Sequence, residues 1–329
     1  MTEWAWARGS ATGVGSLPGT DIVEATKMVF GELPDLPYLP ELPARGPGAD
    51  IIGRSAAFLT DLPVELYAGR WRVAARPGRD LRRTLDLLDR DLDALTGAAE
   101  GLAGPVKVQV AGPWTLAASI DLAIGGRMLR DHGAARDVAE SLTEGLRQHV
   151  ADVRTRLPTA DVLLQIDEPS LPAVLAGQVP TESGLYTLRA VQESTVESAL
   201  GALVAAVGVP VVIHCCARDV PVALLAGTGA AALSVDLSLV DRLDPLGEAI
   251  DAGLGLFAGV AATTGDRAPS SADLADRVTS LWRRLGFPED RVAAQVVVTP
   301  ACGLAGATPE YARGVLAACV EAGRRLAER

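Results

Sequence analysis

Short aliphatic runs alternate with longer amphipathic stretches along the chain, a pattern that predicts strands followed by helices. Eight runs have the length and composition of buried strands, at residues 11–16, 36–41, 106–112, 161–168, 210–216, 231–236, 255–260 and 294–302. Helical patterns fill the longer intervals, at 79–101, 132–157, 187–207, 271–286 and 308–328. The last of these opens with Thr308 before Pro309, a typical helix start.

Strands that alternate with helices predict a parallel sheet, and eight such units in 329 residues predict a single (β/α)8 TIM barrel over residues 1–329. The alternative is an open, doubly wound α/β sheet. The second predicted strand is the weakest, because Pro34, Pro37 and Pro40 cannot donate hydrogen bonds to a neighbouring strand.

Composition narrows the classes of function. Hydrophobic residues make up 49% of the chain and aromatic residues 4%, so the core must be built mainly from Ala, Val and Leu. With 30 basic and 41 acidic residues the net charge is -11, which argues against nucleic acid as a partner. No apolar run is long enough for a membrane span or a signal peptide, so we expect a cytoplasmic protein without a membrane partner.

The segment "VVIHCCARDV" holds one of three histidines and two of four cysteines. Cysteines this close together do not form the framework of a secreted disulfide scaffold, and a reducing compartment favours metal binding or burial. Because side chains alternate along a strand, His214 and Cys216 face one side and Cys215 the other. We therefore predict that Cys216 is a ligand and that Cys215 lies in the core.

Polar residues stand at the carboxyl ends of most predicted strands, where a barrel gathers its chemistry. Two thiols, an imidazole and a carboxylate at the ends of three predicted strands predict a tetrahedral zinc site, formed by His214, Cys216, Asp236 and Cys302. Each residue also has a structural explanation: a lone His or Cys is often part of the core, and Asp236 could cap the next helix.

Two further motifs lie at strand ends. In "QIDEP", Asp167 is predicted to bind an ammonium group with Glu168 behind it, and the alternative is that these carboxylates satisfy a helix N-terminus. In "GVGSLPGTD", the glycines would let backbone N–H groups approach an anion such as a carboxylate.

Taken together, these motifs resemble the catalytic half of cobalamin-independent methionine synthase over nearly the whole chain. "GVGSLPGTD" is similar to the family's homocysteine-binding turn, "LPELPARG" to its substrate-binding glutamate loop, and "VKVQVAGPWTL", "LLQIDEPSL", "IHCC", "ALSVD" and "VTPACGL" to five further segments. The resemblance implies that Ser16 and Glu41 hold the amino acid and that Asp167 takes its ammonium group, with Asp167 and Glu41 as the catalytic residues. It also implies zinc on His214, Cys216, Asp236 and Cys302.

Three positions depart from the family pattern. The family's zinc carboxylate is usually glutamate, and here it is the shorter Asp236. Thr264 stands near the place of a histidine thought to help proton transfer, and Ser119 near that of a tryptophan that packs by the folate. These changes affect the methyl donor more than the metal or the amino acid.

The resemblance thus implies a zinc-dependent methyltransferase that methylates a thiol, with homocysteine as the expected acceptor. The donor would be 5-methyltetrahydrofolate or, as one alternative, a methylcorrinoid protein. A second alternative is a noncatalytic barrel that binds zinc or an amino-acid thiol.

Overall fold

Residues 4–329 are described by a computed structural model. Its strands are β1 (Val64–Tyr67), β2 (Arg70–Val73), β3 (Pro105–Ala111), β4 (Asp161–Asp167), β5 (Val211–Cys215), β6 (Ala232–Asp236), β7 (Gly255–Ala261) and β8 (Val296–Pro300). Its helices are α1 (Ile22–Glu32), α2 (Ile51–Ala56), α3 (Arg79–Ala98), α4 (Pro113–Ser119), α5 (His132–Arg156), α6 (Leu171–Ala176), α7 (Glu193–Val207), α8 (Val222–Gly227), α9 (Asp244–Asp251), α10 (Ser271–Leu285), α11 (Glu289–Gln295) and α12 (Pro309–Ala327).

Strands β3 to β8 form one curled sheet in which every neighbouring pair is parallel and follows chain order. Six of the eight predicted strands are confirmed, with ends that differ by one or two residues at most positions. At 294–302 the strand covers only Val296–Pro300, because the preceding residues close α11. Within the described residues, no helix is both long and apolar enough to cross a membrane.

The first two predicted strands, 11–16 and 36–41, are not regular strands. They form isolated parallel bridges instead: Ala11 pairs with Val298, Ser16 with Glu41, and Tyr38 with Lys107. Proline explains part of this, since Pro37 lacks a donor and only its carbonyl takes part, accepting from Lys107 N at 2.9 Å. The regular parallel sheet therefore has six strands, not the eight that the sequence predicts.

A hairpin that the predicted elements omit lies between α2 and α3. Its strands β1 and β2 are antiparallel and are joined by Ala68 and Gly69, which both have positive φ (48° and 79°). This is the backbone of a two-residue hairpin turn. The alternating pattern of "VELYAGRWRV" was the available signal.

The sheet face that carries the candidate site changes from apolar to polar along the strands. Alternate residues share this face, since the registers place Asp167 beside His214, His214 beside Ser234, and Asp236 beside Gly259. Near the strand starts it is covered by a buried apolar cluster of Trp6, Leu36, Leu163, Val212, Ala232, Phe257 and Val297. Polar side chains on this face therefore concentrate at the carboxyl ends of the strands, and the apolar cluster lies at the opposite ends.

The burial of His149 on α5 should make the stability of the fold depend on pH. Its ring packs against Phe58 with centroids 4.4 Å apart, and burial lowers its pKa from 6.5 to about 3. Between these two values the unfolded chain binds a proton that the folded chain does not. The contribution of neutral His149 to the free energy of unfolding is therefore fully present above about pH 6.5 and is lost as pH falls toward 3. This residue should destabilise the fold by about 2 kcal/mol between pH 7 and pH 5.

Urea unfolding at both pH values measures this effect. We expect His149→Phe to lose less stability on acidification than the wild type, by about that amount. His132→Ala removes an exposed histidine outside this contact and is the control for the loss of a histidine as such. Equal slopes for the wild type and the His149 variant would contradict the assignment.

Candidate metal centre and substrate site

Two thiols and one imidazole converge at the carboxyl end of the sheet. His214 lies on β5, Cys216 is the first residue after β5, and Cys302 is the second residue after β8. One ligand atom from each residue lies within 4.8 Å of the others. The Cys216 and Cys302 sulfur atoms are 2.7 Å apart, and Cys302 Sγ is 3.9 Å from His214 Nε2. The structure thus brings together three of the four predicted zinc ligands.

A hydrogen bond to Nδ1 fixes the orientation of the His214 ring. Nδ1 shares a hydrogen bond of 2.9 Å with Ser234 Oγ, and both residues are buried in neighbouring positions of β5 and β6. Nε2 is therefore the nitrogen that faces the thiols, an arrangement common for metal-binding histidines. Sequence reasoning missed Ser234, although its place two residues before Asp236 on an apolar strand was a signal.

The two cysteine sulfurs interact electrostatically. The hydrogen bond with Cys216 is the main cause that lowers the pKa of Cys302, and the contact with His214 lowers it further. The same bond raises the pKa of Cys216, because ionising both sulfurs side by side is unfavourable. A cation at this point would relieve that repulsion. Cys215 lies outside this group: it is fully buried, and burial raises its pKa to about 12.

Asp236 stands apart from the three clustered ligands. Its Oδ1 accepts hydrogen bonds from the backbone N and the Oγ of Ser238, at 2.9 and 2.6 Å. It therefore caps the short helical turn Leu237–Leu239, as the structural alternative predicted. Asp236 nevertheless lines the same cavity as the two thiols. Its role as fourth ligand stays a prediction.

This cavity opens beside the thiols and has a volume of about 1040 Å³. Its walls come from the segment after β6, the ends of β7 and β8, and one side of α10. Leu237, Val240 and Leu281 supply apolar surface, and Arg277 and Arg284 lie on the helix side. The space is large enough for a ligand of cofactor size to reach the sulfur atoms.

Asp167 and Glu41 are buried carboxylates at the same end of the sheet. Asp167 pairs in register with His214, and Gln165 Nε2 donates to its Oδ1 at 2.7 Å. Burial raises the pKa of both groups, that of Asp167 to about 7. An arriving ammonium group would favour their ionised forms and would be strongly attracted. The geometry is compatible with the predicted substrate roles of both residues.

Glu41 is oriented by residues that the sequence analysis did not single out. Arg54 Nε lies 3.6 Å from its Oε1. Arg54 is in turn paired with the buried Asp91, which also forms a two-bond ion pair with Arg45 at 2.7 and 2.8 Å. These charges come from helices outside the sheet, so no spacing along the strands could indicate them.

Ser16 lies between Glu41 and the loop that contains Cys302. It bridges to Glu41, and its carbonyl accepts from Leu304 N at 2.8 Å. Its Oγ fills the space where a Cβ on Gly303 would lie, next to Cys302. The preceding Gly13 is required by packing, since a side chain there would overlap the buried Tyr38 ring.

Glu168 binds the N-terminus of α4 and is not part of the candidate site. It is fully buried and accepts from Trp114 N at 3.0 Å and from Thr115 N and Oγ1 at 2.8 and 2.7 Å. This satisfies the helix N-terminus, so the structural alternative for "QIDEP" holds for Glu168. Asp167 is the carboxylate that remains on the site face.

The residues that depart from the family pattern are widely separated. Thr264 lines the cavity beside the thiols, and no histidine is among its lining residues. Ser119 lies at a smaller hollow, next to Trp71. Trp114 is buried on α4 and lines a groove between α5 and α7 whose lining includes neither Cys216 nor Cys302. The large cavity at the thiols thus has neither an imidazole nor an aromatic ring in its lining.

Comparisons with known proteins bear on the fold and on the family of the chain. A search of curated protein sequences gives no match. Among solved structures, the chain is similar to a B12-independent methionine synthase from Shewanella sp. W3-18-1 in complex with selenomethionine, with a TM-score of 0.62, 12% identity and 98% of each chain covered. It is also similar to a methyltransferase from Methanosarcina mazei, with a TM-score of 0.57, 16% identity, and 98% of this chain and 94% of that one covered.

Identities this low show the fold alone. The family assignment comes from the sequence, because residues 10–325 match the model described as "Cobalamin-independent synthase, Catalytic domain". That match spans almost the whole chain and includes every candidate ligand and substrate residue discussed above. The chain therefore belongs to the family of cobalamin-independent synthase catalytic domains.

Proposed function

We propose that the chain is a zinc-dependent methyltransferase that transfers a methyl group to a thiol, with homocysteine as the acceptor. The observation that carries this proposal is the placement of His214, Cys216 and Cys302 at the same sheet edge as the buried carboxylates Asp167 and Glu41. One group suits a sulfur-binding metal, and the other suits an α-ammonium group. An amino acid with a thiol side chain matches both.

The chemistry of the donor atoms supports zinc. Two thiols and an imidazole are typical zinc ligands, and soft sulfur atoms disfavour magnesium and calcium. His214 presents Nε2 because Ser234 occupies Nδ1, and the proximity of the two sulfurs favours loss of at least one proton. When bound, zinc lowers the pKa of a thiol so that it reacts as a thiolate at neutral pH.

The residues of the chain would supply position and charge. Asp167 and Glu41 would hold the ammonium group, and the backbone around Ser16 would hold the other end of the amino acid. These contacts would fix the acceptor with its sulfur toward Cys216 and Cys302. The cavity on the other side of the two cysteines would then receive the methyl donor.

We also propose that one domain, residues 1–329, forms a closed (β/α)8 barrel around this site. The support is that segments 11–16 and 36–41 bridge β8 to β3 through single residue pairs. Closure of this kind would place Ser16 and Glu41 next to the ends of β4 and β5, where Asp167 and His214 lie.

The donor is the part of the reaction that departs most from the family. A folate amine leaves well only when protonated, and a missing general acid costs about 10²- to 10⁴-fold in rate. Thr264 cannot donate a proton as an imidazolium does, and no histidine lines the cavity. A methylcorrinoid loses its methyl group without that proton. This observation favours the corrinoid as donor.

The test is methionine formation from homocysteine by zinc-loaded protein, with methylcobalamin and methyltetrahydrofolate in parallel. We expect a higher initial rate with methylcobalamin at equal donor concentration. A higher rate with folate would show that another acid protonates the leaving amine. Zinc binding without methionine from either donor would contradict the proposal and favour a noncatalytic binding protein.

A further inference from the structure

Two buried amides lie directly beneath the predicted amino-acid site. Gln109 on β3 and Gln165 on β4 face each other in the strand register, and their exposed fractions are 4% and 1%. Buried glutamines on strands need partners for every donor, so their contacts define what they hold in place.

Each amide joins one candidate substrate carboxylate to one backbone carbonyl. Gln165 Nε2 donates to Asp167 Oδ1 at 2.7 Å and to Val14 O at 2.8 Å. Gln109 Nε2 donates to Glu41 Oε1 at 3.2 Å and to Leu39 O at 2.6 Å. Both N–H donors of each amide are therefore used, and each fixes a carboxylate relative to a neighbouring chain segment.

Lys107 connects the two halves of this network. It is fully buried, and its Nζ donates to Val14 O at 2.9 Å and to Gln109 Oε1 at 3.3 Å. The Val14 carbonyl thus accepts from both Lys107 and Gln165. Through it, the turn that contains Ser16 is tied to β3 and β4, the strands that carry the two amides.

We propose that Gln109 and Gln165 are positioning residues that hold Glu41 and Asp167 in the conformations that receive the substrate ammonium group. This inference rests on the proposed function. Asp and Glu side chains can rotate about two and three bonds, and an amide donor at fixed distance removes that freedom before the substrate arrives. The amides would act only through the carboxylates and would not touch the substrate.

A third buried glutamine provides the matched control. Gln295, at the end of α11, has an exposed fraction of 3%, and its Nε2 donates to Ile250 O at 2.7 Å and Leu254 O at 2.9 Å. Both acceptors are backbone carbonyls, and no carboxylate is involved. Gln295 is therefore equally buried and equally bonded, but its role is structural.

The experiment compares Gln165→Met, Gln109→Met and Gln295→Met. Methionine is similar in size to glutamine, carries no charge and cannot donate either hydrogen bond. We expect homocysteine to bind zinc-loaded Gln165→Met about tenfold more weakly, because a hydrogen bond to a charged group is lost. Gln109→Met should also bind more weakly. Gln295→Met should lower Tm and leave the affinity unchanged.

A double-mutant cycle separates positioning from general stability. If Gln165 acts through Asp167, then Gln165→Met should change affinity less than about twofold in an Asp167→Asn background. Zinc content should be equal in all variants. Val14 O keeps its bond from Lys107 in Gln165→Met, and Gln109→Met tests the same idea independently.

The outcomes are distinct. Wild-type affinity in both Gln165→Met and Gln109→Met would overturn the inference while leaving the proposed function intact. Additive effects of Gln165→Met and Asp167→Asn would also overturn it. If the wild-type protein itself does not bind homocysteine, the proposed function fails, and the inference fails with it.

Discussion

Replacing Cys302 with serine is expected to remove tightly bound metal from the protein. The wild type should retain about one zinc per chain after dialysis against a mild chelator. Cys302 lies 2.7 Å from Cys216 Sγ and 3.9 Å from His214 Nε2, so its loss removes one of two thiols from the group. A serine hydroxyl does not ionise near neutral pH and is a much weaker ligand. Metal analysis of the dialysed Cys302→Ser protein gives the result.

Cys215→Ser is the matched control for this experiment. Cys215 is adjacent to Cys216 in sequence but is fully buried outside the group of three ligands. Its replacement should leave zinc content unchanged, whereas Cys216→Ser should lower it as Cys302→Ser does. Full zinc retention in Cys302→Ser would remove Cys302 from the site. Equal zinc loss in the Cys215 and Cys216 variants would contradict the strand register.

Asp167→Asn is expected to weaken homocysteine binding at least about tenfold while zinc content stays the same. Asp167 is buried, and without its carboxylate a buried ammonium group would lose one of the two negative charges proposed to hold it. The asparagine keeps the shape of the side chain and can still accept from Gln165 Nε2. Calorimetric titration of the zinc-loaded protein with homocysteine measures the change.

Asp273→Asn controls for the removal of one negative charge near the site. Asp273 is exposed on α10 and lines the cavity beside the thiols. This variant should bind homocysteine like the wild type, because the Asp273 carboxylate is exposed and lines the cavity proposed for the methyl donor. Unchanged affinity in Asp167→Asn would show that the amino acid binds elsewhere or is not the ligand.

Much of this architecture could be predicted from the chain alone. The strands β3 to β8 are short aliphatic runs between long helical patterns, and their alternation specifies a parallel sheet. The period of two along "VVIHCC" separates His214 and Cys216 from Cys215, which lies outside the group of three ligand residues. Strand ends therefore located the candidate ligands without any knowledge of tertiary contacts.

Other features depend on contacts between distant segments. Whether segments 11–16 and 36–41 pair regularly depends on how their few bridges fit β8 and β3, and prolines reduce the number of available donors. Asp236 could be a ligand or a cap by its position alone, and its bonds to Ser238 come from local turn geometry. Arg54 and Asp91 reach Glu41 from helices whose placement no strand pattern encodes.

The most direct test asks whether the metal group and the carboxylate pair form one site for a thiol amino acid. Homocysteine and homoserine, which differ only in sulfur against oxygen, would be titrated by calorimetry into zinc-loaded and metal-free protein. We predict that homocysteine binds the zinc-loaded protein much more tightly than the metal-free protein, and that homoserine binds both forms weakly. Equal homocysteine affinity with and without zinc, or equal affinity for homoserine and homocysteine, would contradict the account.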